Sequence, residues 1–200
     1  MIIKVCGLRQ SDNIRAVEAT KPDWYGFIFH PQSPRYVATP PDHLPSGERI
    51  GVFVDATLED IQARQRSFQL TGVQLYKASP QLCCTLREKG LKVIRAIPAM
   101  GDLDTATLPF LTAVDYFLFD TPSPQYGGTG LTYNWQQLQS YTHSVPFLLS
   151  GGLSLNSLPD LQHFSHPSWQ GVDLNSGFEL SAGLKDARLL SQFISQFRLI

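Results

Sequence analysis

Two residues, one thiol and one carboxyl, stand at the ends of apolar runs and are of the types that proton transfer at carbon requires. Cys6 closes the run at 2–6, IIKVC, and Asp120 follows the run at 114–119, VDYFLF. A thiolate and a carboxylic acid facing each other across a site make a workable base and acid. A free thiol has a pKa of about 8.5, so a catalytic Cys6 asks for surroundings that favour the thiolate. Each residue also has a plainer reading. Cys6 fits a small buried hydrophobe, and an Asp before Thr121-Pro122 fits a turn cap.

A second group of residues suits anion binding. Gly151 and Gly152 follow the run at 145–149, and Ser176-Gly177 follows the run at 169–174. Glycine turns and the opening of a short helix expose backbone N–H groups that hold phosphate without a lysine. The alternative at Gly151-Gly152 is a tight turn alone. Arg35 lies in the loop after the second run, where it is either a bidentate carboxylate binder or a solvated surface arginine. Asp173 either bonds a substrate or braces the site. Asp55 reads as a cap for the helix that follows it. Arg95, in an apolar run, asks for a partner, expected to be an interior carboxylate.

These residues need elements that bring distant ends of apolar runs together. The runs fall at 2–6, 24–29, 50–54, 72–75, 91–97, 114–119, 145–149 and 169–174. They are short, rich in Val, Ile and Phe, and lack clean alternation, as strands buried on both faces do. Helical segments are expected between them at 11–20, 57–68, 79–89, 154–164 and 184–197, with weaker ones at 40–47 and 102–111. The first carries Ser11, Asp12 and Asn13 as capping types, and the third starts on Pro80 and stops at Gly90. Eight such units in 200 residues fit a single-domain (β/α)8 TIM barrel near the small end of the size range, spanning 1–200. A doubly wound open sheet is the alternative, and G-x-G-x-x-G is missing after the first run. In a barrel the strand ends gather at one mouth, which sets Cys6 opposite Asp120 and the two glycine turns at one corner.

Composition narrows the partners. Hydrophobic residues make up 42% and charged residues 16% of the chain, the net charge is -1, and no basic run stands out. That argues against nucleic acid or an anionic membrane surface as a partner. No apolar run reaches the roughly 20 residues of a membrane span, and the N-terminus does not read as a signal peptide. The three cysteines fit a reducing, cytoplasmic setting. The five histidines are scattered, so no metal site is expected.

Blocks in order along the chain resemble the phosphoribosylanthranilate isomerase family of tryptophan biosynthesis. They are KVCGLR at 4–9, GFIFHPQSPRYV at 26–37, GVFVD at 51–55, DYFLFD at 115–120, GGTG at 127–130, LLSGGL at 148–153 and GVDLNSGFE at 171–179. The resemblance implies a (β/α)8 enzyme that converts a phosphoribosyl aminobenzoate to an aminoketose by an Amadori rearrangement, without a cofactor. It implies Cys6 as general base and Asp120 as general acid. Arg35 then holds the anthranilate carboxylate, and backbone groups at Gly151, Gly152, Ser176 and Gly177 hold the phosphate. Asp173 matches a mouth residue. Gly128, in the GGTG loop, is counted with the substrate-binding residues as part of a mobile cover beside the acid. One block departs: where the family reads VQLHG, this chain has Val73-Gln74-Leu75-Tyr76-Lys77. An acid in this role must be protonated, so its surroundings are expected to raise its pKa above about 3.9. The partner is a phosphorylated small molecule, and the chain is expected as a monomer or homodimer.

Overall fold

The Val-, Ile- and Phe-rich runs become eight parallel strands that close into a barrel, β1 through β8 in sequence order. The structure, a computed structural model, describes residues 1–121 and 135–200. The strands are β1 Ile2–Val5, β2 Trp24–Ile28, β3 Glu48–Phe53, β4 Gly72–Leu75, β5 Lys92–Pro98, β6 Tyr116–Asp120, β7 Phe147–Leu149 and β8 Trp169–Leu174. β1 closes the ring on β8, with Ile2 opposite Gly171 and Lys4 opposite Asp173. Closure excludes the open doubly wound sheet.

Alternation within each strand separates two cores. Trp24, Ile50, Ile94, Ala96, Leu118 and Leu148 pack together as the barrel interior. Their neighbours in sequence, including Tyr25, Val93, Phe117, Phe119 and Phe147, belong to a larger core between the strands and the helices. The aromatic packing there is dense: Phe119 meets Tyr141 and Phe147 edge to face at centroid distances of 5.3 and 5.0 Å. The same period of two carries the inward face from Ile2 through Lys4 to Cys6, from Gln74 to Tyr76, and from Leu118 to Asp120. The acid and the thiol therefore stand on top of a packed interior layer.

The helices are α1 Ser11–Glu18, α2 Leu58–Phe68, α3 Pro80–Glu88, α4 Leu103–Thr107, α5 Leu158–His163 and α6 Ala187–Phe197. Their ends follow the capping chemistry of the nearest residues in some places and depart from it in others. α3 is capped by Ser79, whose side chain accepts from Leu82 N–H, and carries Pro80 in its first turn. Gly90 then takes φ +81°, the left-handed conformation expected of a C-terminal glycine. α1 is different: Gln10 is its N-cap residue and makes no side-chain cap bond. Asp55 is not the cap of α2. Thr57 is, through a reciprocal pair with Asp60. The segment at 40–47 forms no helix. The expected 154–164 helix is a 3-10 turn at Leu155–Ser157 followed by α5. The expected 184–197 helix begins at Ala187, because Leu184–Lys185 instead pairs as β10 with β9, Glu179–Ser181.

Arg95 also departs from expectation. Among the described residues it meets no interior carboxylate. Its position on β5 faces the outer layer, where Nη1 donates to the carbonyls of Leu75 and Tyr76 and the guanidinium lies 4.9 Å from the Phe110 ring centre.

Candidate active site

The residues that matter sit at or one step beyond the C-terminal ends of the strands, still held by the ladder. Cys6 N–H donates to Leu174 O at 2.9 Å, Tyr76 N–H to Phe53 O at 3.0 Å, and Ser150 N–H to Phe119 O at 2.9 Å. Backbone bonds of this kind fix side-chain direction more tightly than a free loop does. The result is a pocket whose wall includes Cys6, Arg35, Asp120, Gly151, Gly152, Asp173 and Ser176. These predicted residues are brought together. Gly177, the residue after Ser176, is exposed and does not line the pocket. Gly128 and the GGTG loop lie outside the described residues.

Cys6 is only 3% exposed. Its room comes from β2: a Cβ on Gly26 would stand 2.7 Å from the Cys6 sulfur. Two residues earlier on the same face, Lys4 is fully buried, and its Nζ donates to both carboxylate oxygens of Asp173 at 2.9 Å. Burial opposes the charge on Lys4, but Asp173 and then Cys6 outweigh it and hold the ammonium above the ordinary lysine range. The thiol behaves differently from expectation. Burial pushes Cys6 up, and the attraction of Lys4 and Lys185 offsets this only in part, with Asp173 opposing them. The surroundings as a whole do not favour the thiolate, because desolvating a sulfur anion costs more than the two paired ammoniums return.

Asp120 is partly exposed at the mouth. Its Oδ2 accepts from the Tyr76 hydroxyl at 2.9 Å and its Oδ1 from Thr121 N–H at 2.9 Å. Burial raises its pKa. The donors Tyr76, Ser150 and Thr121 pull the other way, Asp173 adds a repulsive charge, and the outcome is upward. A carboxyl in this setting is closer to the protonated form that a proton donor needs.

Arg35 is not a surface arginine. It is 6% exposed, and its Nε and Nη2 are committed to Glu179 by bonds of 3.0, 3.1 and 2.7 Å. The edge bearing Nη1 makes none of these bonds. Glu179 also accepts from Lys185 Nζ at 2.6 Å and Gly183 N–H at 3.0 Å. Burial works against its charge, but Arg35 and Lys185 hold the carboxyl below the usual range. Asp173 sits at the pocket floor, occupied by Lys4.

The glycine corner has an enforced backbone. Gly151 and Gly152 take φ +90° and +65°, where an L side chain is strained. A Cβ on Gly151 would meet Thr121 Oγ1 at 1.9 Å, and one on Gly177 would meet Leu153 O at 2.0 Å. The turn after β8 therefore packs directly on the turn after β7. Ser176 and Gly177 open a 3-10 turn, Ser176–Phe178, so their N–H groups have no partner within it.

Sequence reasoning did not single out Lys4, Glu179 or Lys185. Lys4 carried a signal, being a lysine in a fully buried run, two positions from Cys6 and so on its face. Glu179 and Lys185 carried none, since their pairing depends on the β9–β10 hairpin folding over Arg35.

The chain matches the family described as N-(5'phosphoribosyl)anthranilate (PRA) isomerase over residues 3–196. It is 47% identical over 201 residues to the N-(5'-phosphoribosyl)anthranilate isomerase of Phocaeicola vulgatus, covering 99% of this chain and 98% of that protein. A solved phosphoribosyl anthranilate isomerase, in complex with reduced 1-(o-carboxyphenylamino)-1-deoxyribulose 5-phosphate, superposes with a TM-score of 0.80 at 25% identity over 100% of both chains. So does a structure of monomers generated from the dimeric phosphoribosylanthranilate isomerase of Thermotoga maritima, with the same TM-score, identity and coverage.

Proposed function

The chain belongs to the N-(5'-phosphoribosyl)anthranilate isomerase family and is an isomerase of tryptophan biosynthesis, and from that premise we propose how its residues divide the work. Asp120, protonated, gives its proton to the ribose ring oxygen as the C1′–O bond breaks and the ring opens to a Schiff base. Cys6, as thiolate, removes the C2′ proton, and the electron pair moves to form the enolamine that becomes the aminoketone. Each step is general acid or base catalysis, worth on the order of 100- to 10,000-fold.

Binding at both ends sets the sugar between the two groups. The Nη1 edge of Arg35 receives the anthranilate carboxylate while Glu179 fixes the other edge. The N–H groups of Gly152, Ser176 and Gly177, with Gly151 shaping the turn, receive the phosphate. Asp173 holds Lys4 in place beside the thiol. Gly128 remains a candidate contact on the substrate side. No cofactor or metal is called for by this chemistry. We take the chain as one domain acting in the cytoplasm, as a monomer or a homodimer. A dimeric member of the family supports the second form.

The observation that carries the assignment is that Cys6 and Asp120 line one pocket whose corner is the paired glycine turns. The test is conversion of N-(5'-phosphoribosyl)anthranilate, followed by loss of its fluorescence. The wild-type protein turns it over, and Cys6→Ser and Asp120→Asn each lose most of the turnover while still binding a reduced product analogue. Near wild-type rates in either variant would overturn the acid and base roles.

A further inference from the structure

The acid is joined to two residues for which the proton transfers above have no use. The Tyr76 hydroxyl donates to Asp120 Oδ2 at 2.9 Å, and Gln74 Nε2 stands 3.4 Å from the same hydroxyl. Gln74 is 1% exposed, and its Oε1 is buried without a hydrogen-bond partner. A half-turn of the amide exchanges its two ends and brings Oε1 to the Tyr76 hydroxyl. The backbone of Tyr76 is pinned as well, by its N–H to Phe53 O and by Arg95 Nη1 on its carbonyl.

We propose that Tyr76, backed by Gln74, is a positioning residue that holds Asp120 in one orientation through both of its protonation states. The proposal rests on the reading of Asp120 as the general acid. Oδ1 faces Thr121 N–H, which can only donate, while Oδ2 faces the Tyr76 hydroxyl, which can also accept, and the acidic proton is carried on that oxygen. A hydroxyl opposite Oδ2 can accept from the acid or donate to the carboxylate. Before transfer, Asp120 donates to the Tyr76 oxygen, and Tyr76 turns its own proton to Gln74 Oε1. When Asp120 has given its proton to the ring oxygen, the Tyr76 O–H turns back to the new carboxylate. Tyr76 keeps its proton throughout. Burial, with Asp120, Asp173 and Cys6 around it, pushes its own ionisation far from the working range.

The other charged or titratable groups around this pair are Asp173 on β8, Cys6 after β1, and His30 and Arg35 on the pocket wall. Ser150 brings a second hydroxyl to the same carboxyl, and Tyr76 is the hydroxyl bonded to Oδ2 at 2.9 Å. The departure from the family at this position thus keeps a hydrogen-bonding side chain, where a phenylalanine would not.

The experiment is the pH dependence of kcat in Tyr76→Phe, Tyr76→His and Gln74→Met, with Asp120→Asn alongside. The ordinary pKa of a carboxyl lies well below that of a thiol, and both groups are shifted upward in this pocket. With Asp120 the lower of the two, protonated Asp120 beside Cys6 thiolate is the minority protonation state, and the profile still turns over at the two pKa values, the lower limb at that of Asp120 and the upper at that of Cys6. Removing the donor in Tyr76→Phe moves the lower limb up by about one pH unit and lowers kcat about tenfold, with KM changed less than about twofold. Removing the acceptor in Gln74→Met leaves the Tyr76 proton aimed at the carboxylate and moves the same limb down. Tyr76→His restores the limb. Opposite shifts of one limb are not produced by a loss of packing. An unshifted lower limb in both Tyr76→Phe and Gln74→Met, with Asp120→Asn inactive, overturns the proposal and leaves Asp120 as the acid. An active Asp120→Asn overturns both.

Discussion

Lys4 and Asp173 face each other across the β1–β8 seam that closes the barrel, with Nζ 2.9 Å from each carboxylate oxygen and 0% and 5% of the two side chains exposed. The pair serves two links at once. It seals the seam, and it sets a cation beside Cys6. A desolvated pair contributes little compared with an apolar replacement, but losing one partner strands the other.

Lys4→Met is accordingly expected to destabilise the protein by about 3–5 kcal/mol, and the double variant Lys4→Met/Asp173→Leu by clearly less. Urea unfolding midpoints give the comparison. In the single variant, alkylation of Cys6 should require higher pH than in the wild type, because the attraction that offsets burial is gone. An unchanged alkylation profile would show that Lys4 does not act on the thiol.

The bidentate contact between Arg35 and Glu179 makes a separate claim about binding. Arg35→Lys keeps the charge but cannot span a carboxylate on one edge and receive another on the next. Its KM should rise about ten- to a hundredfold, the scale of one or two charge-assisted hydrogen bonds, with kcat much less affected. Glu179→Gln should raise KM in the same direction, because the guanidinium loses its anchor. A kcat loss without a KM change in either variant would place Arg35 in the chemistry instead.

The strands were legible because each is a run of apolar residues that tolerates burial on both faces, and β4 and β8 have the bounds read from the sequence. Helix starts were less so. Ser79 caps as its type suggests, while Ser11 yields the cap position to Gln10. The outward turn of Arg95 follows from its parity on β5, which a run without alternation hides. Within the site, Cys6, Asp120 and the glycine turns are marked by their places at strand ends. The Tyr76–Asp120 bond and the Arg35–Glu179 bond join residues 44 and 144 positions apart. Only the closed barrel and the β9–β10 hairpin, which adds Lys185 to Glu179, bring them together.

The packing of the two glycine turns gives a third prediction. A Cβ at position 177 would lie 2.0 Å from Leu153 O, a backbone atom that cannot swing away. Gly177→Ala should therefore part the turn after β8 from the turn after β7. A shift of the order of 1 Å can cost up to about a hundredfold, so KM should rise about tenfold or more. Inorganic phosphate should inhibit the variant more weakly than the wild type. Equal inhibition of the two would argue against a phosphate site at this corner.

Far from the pocket, Glu18 at the end of α1 carries a pH dependence of stability. An acid there opposes the helix dipole, yet Glu18 Oε1 accepts from Ser46 N–H at 2.8 Å and Ser46 Oγ at 2.7 Å, and Oε2 faces His43 Nε2 at 2.8 Å. The Ser46 donors, with His43 adding, lower its pKa from the ordinary 4.5 to about 2. A folded-state pKa below the unfolded value means stability that is present above about 4.5 and is lost as pH falls through about 2. The Glu18 side chain is 25% exposed, so solvent screens the effect and makes it smaller than the shift alone would give. Glu18→Gln should flatten the acid side of the unfolding midpoint between those two pH values and change little at neutral pH beyond the loss of its charge-assisted bonds. A variant whose midpoint falls with acid as steeply as the wild type would show that the strap from α1 to the 40–47 loop is not what acid releases.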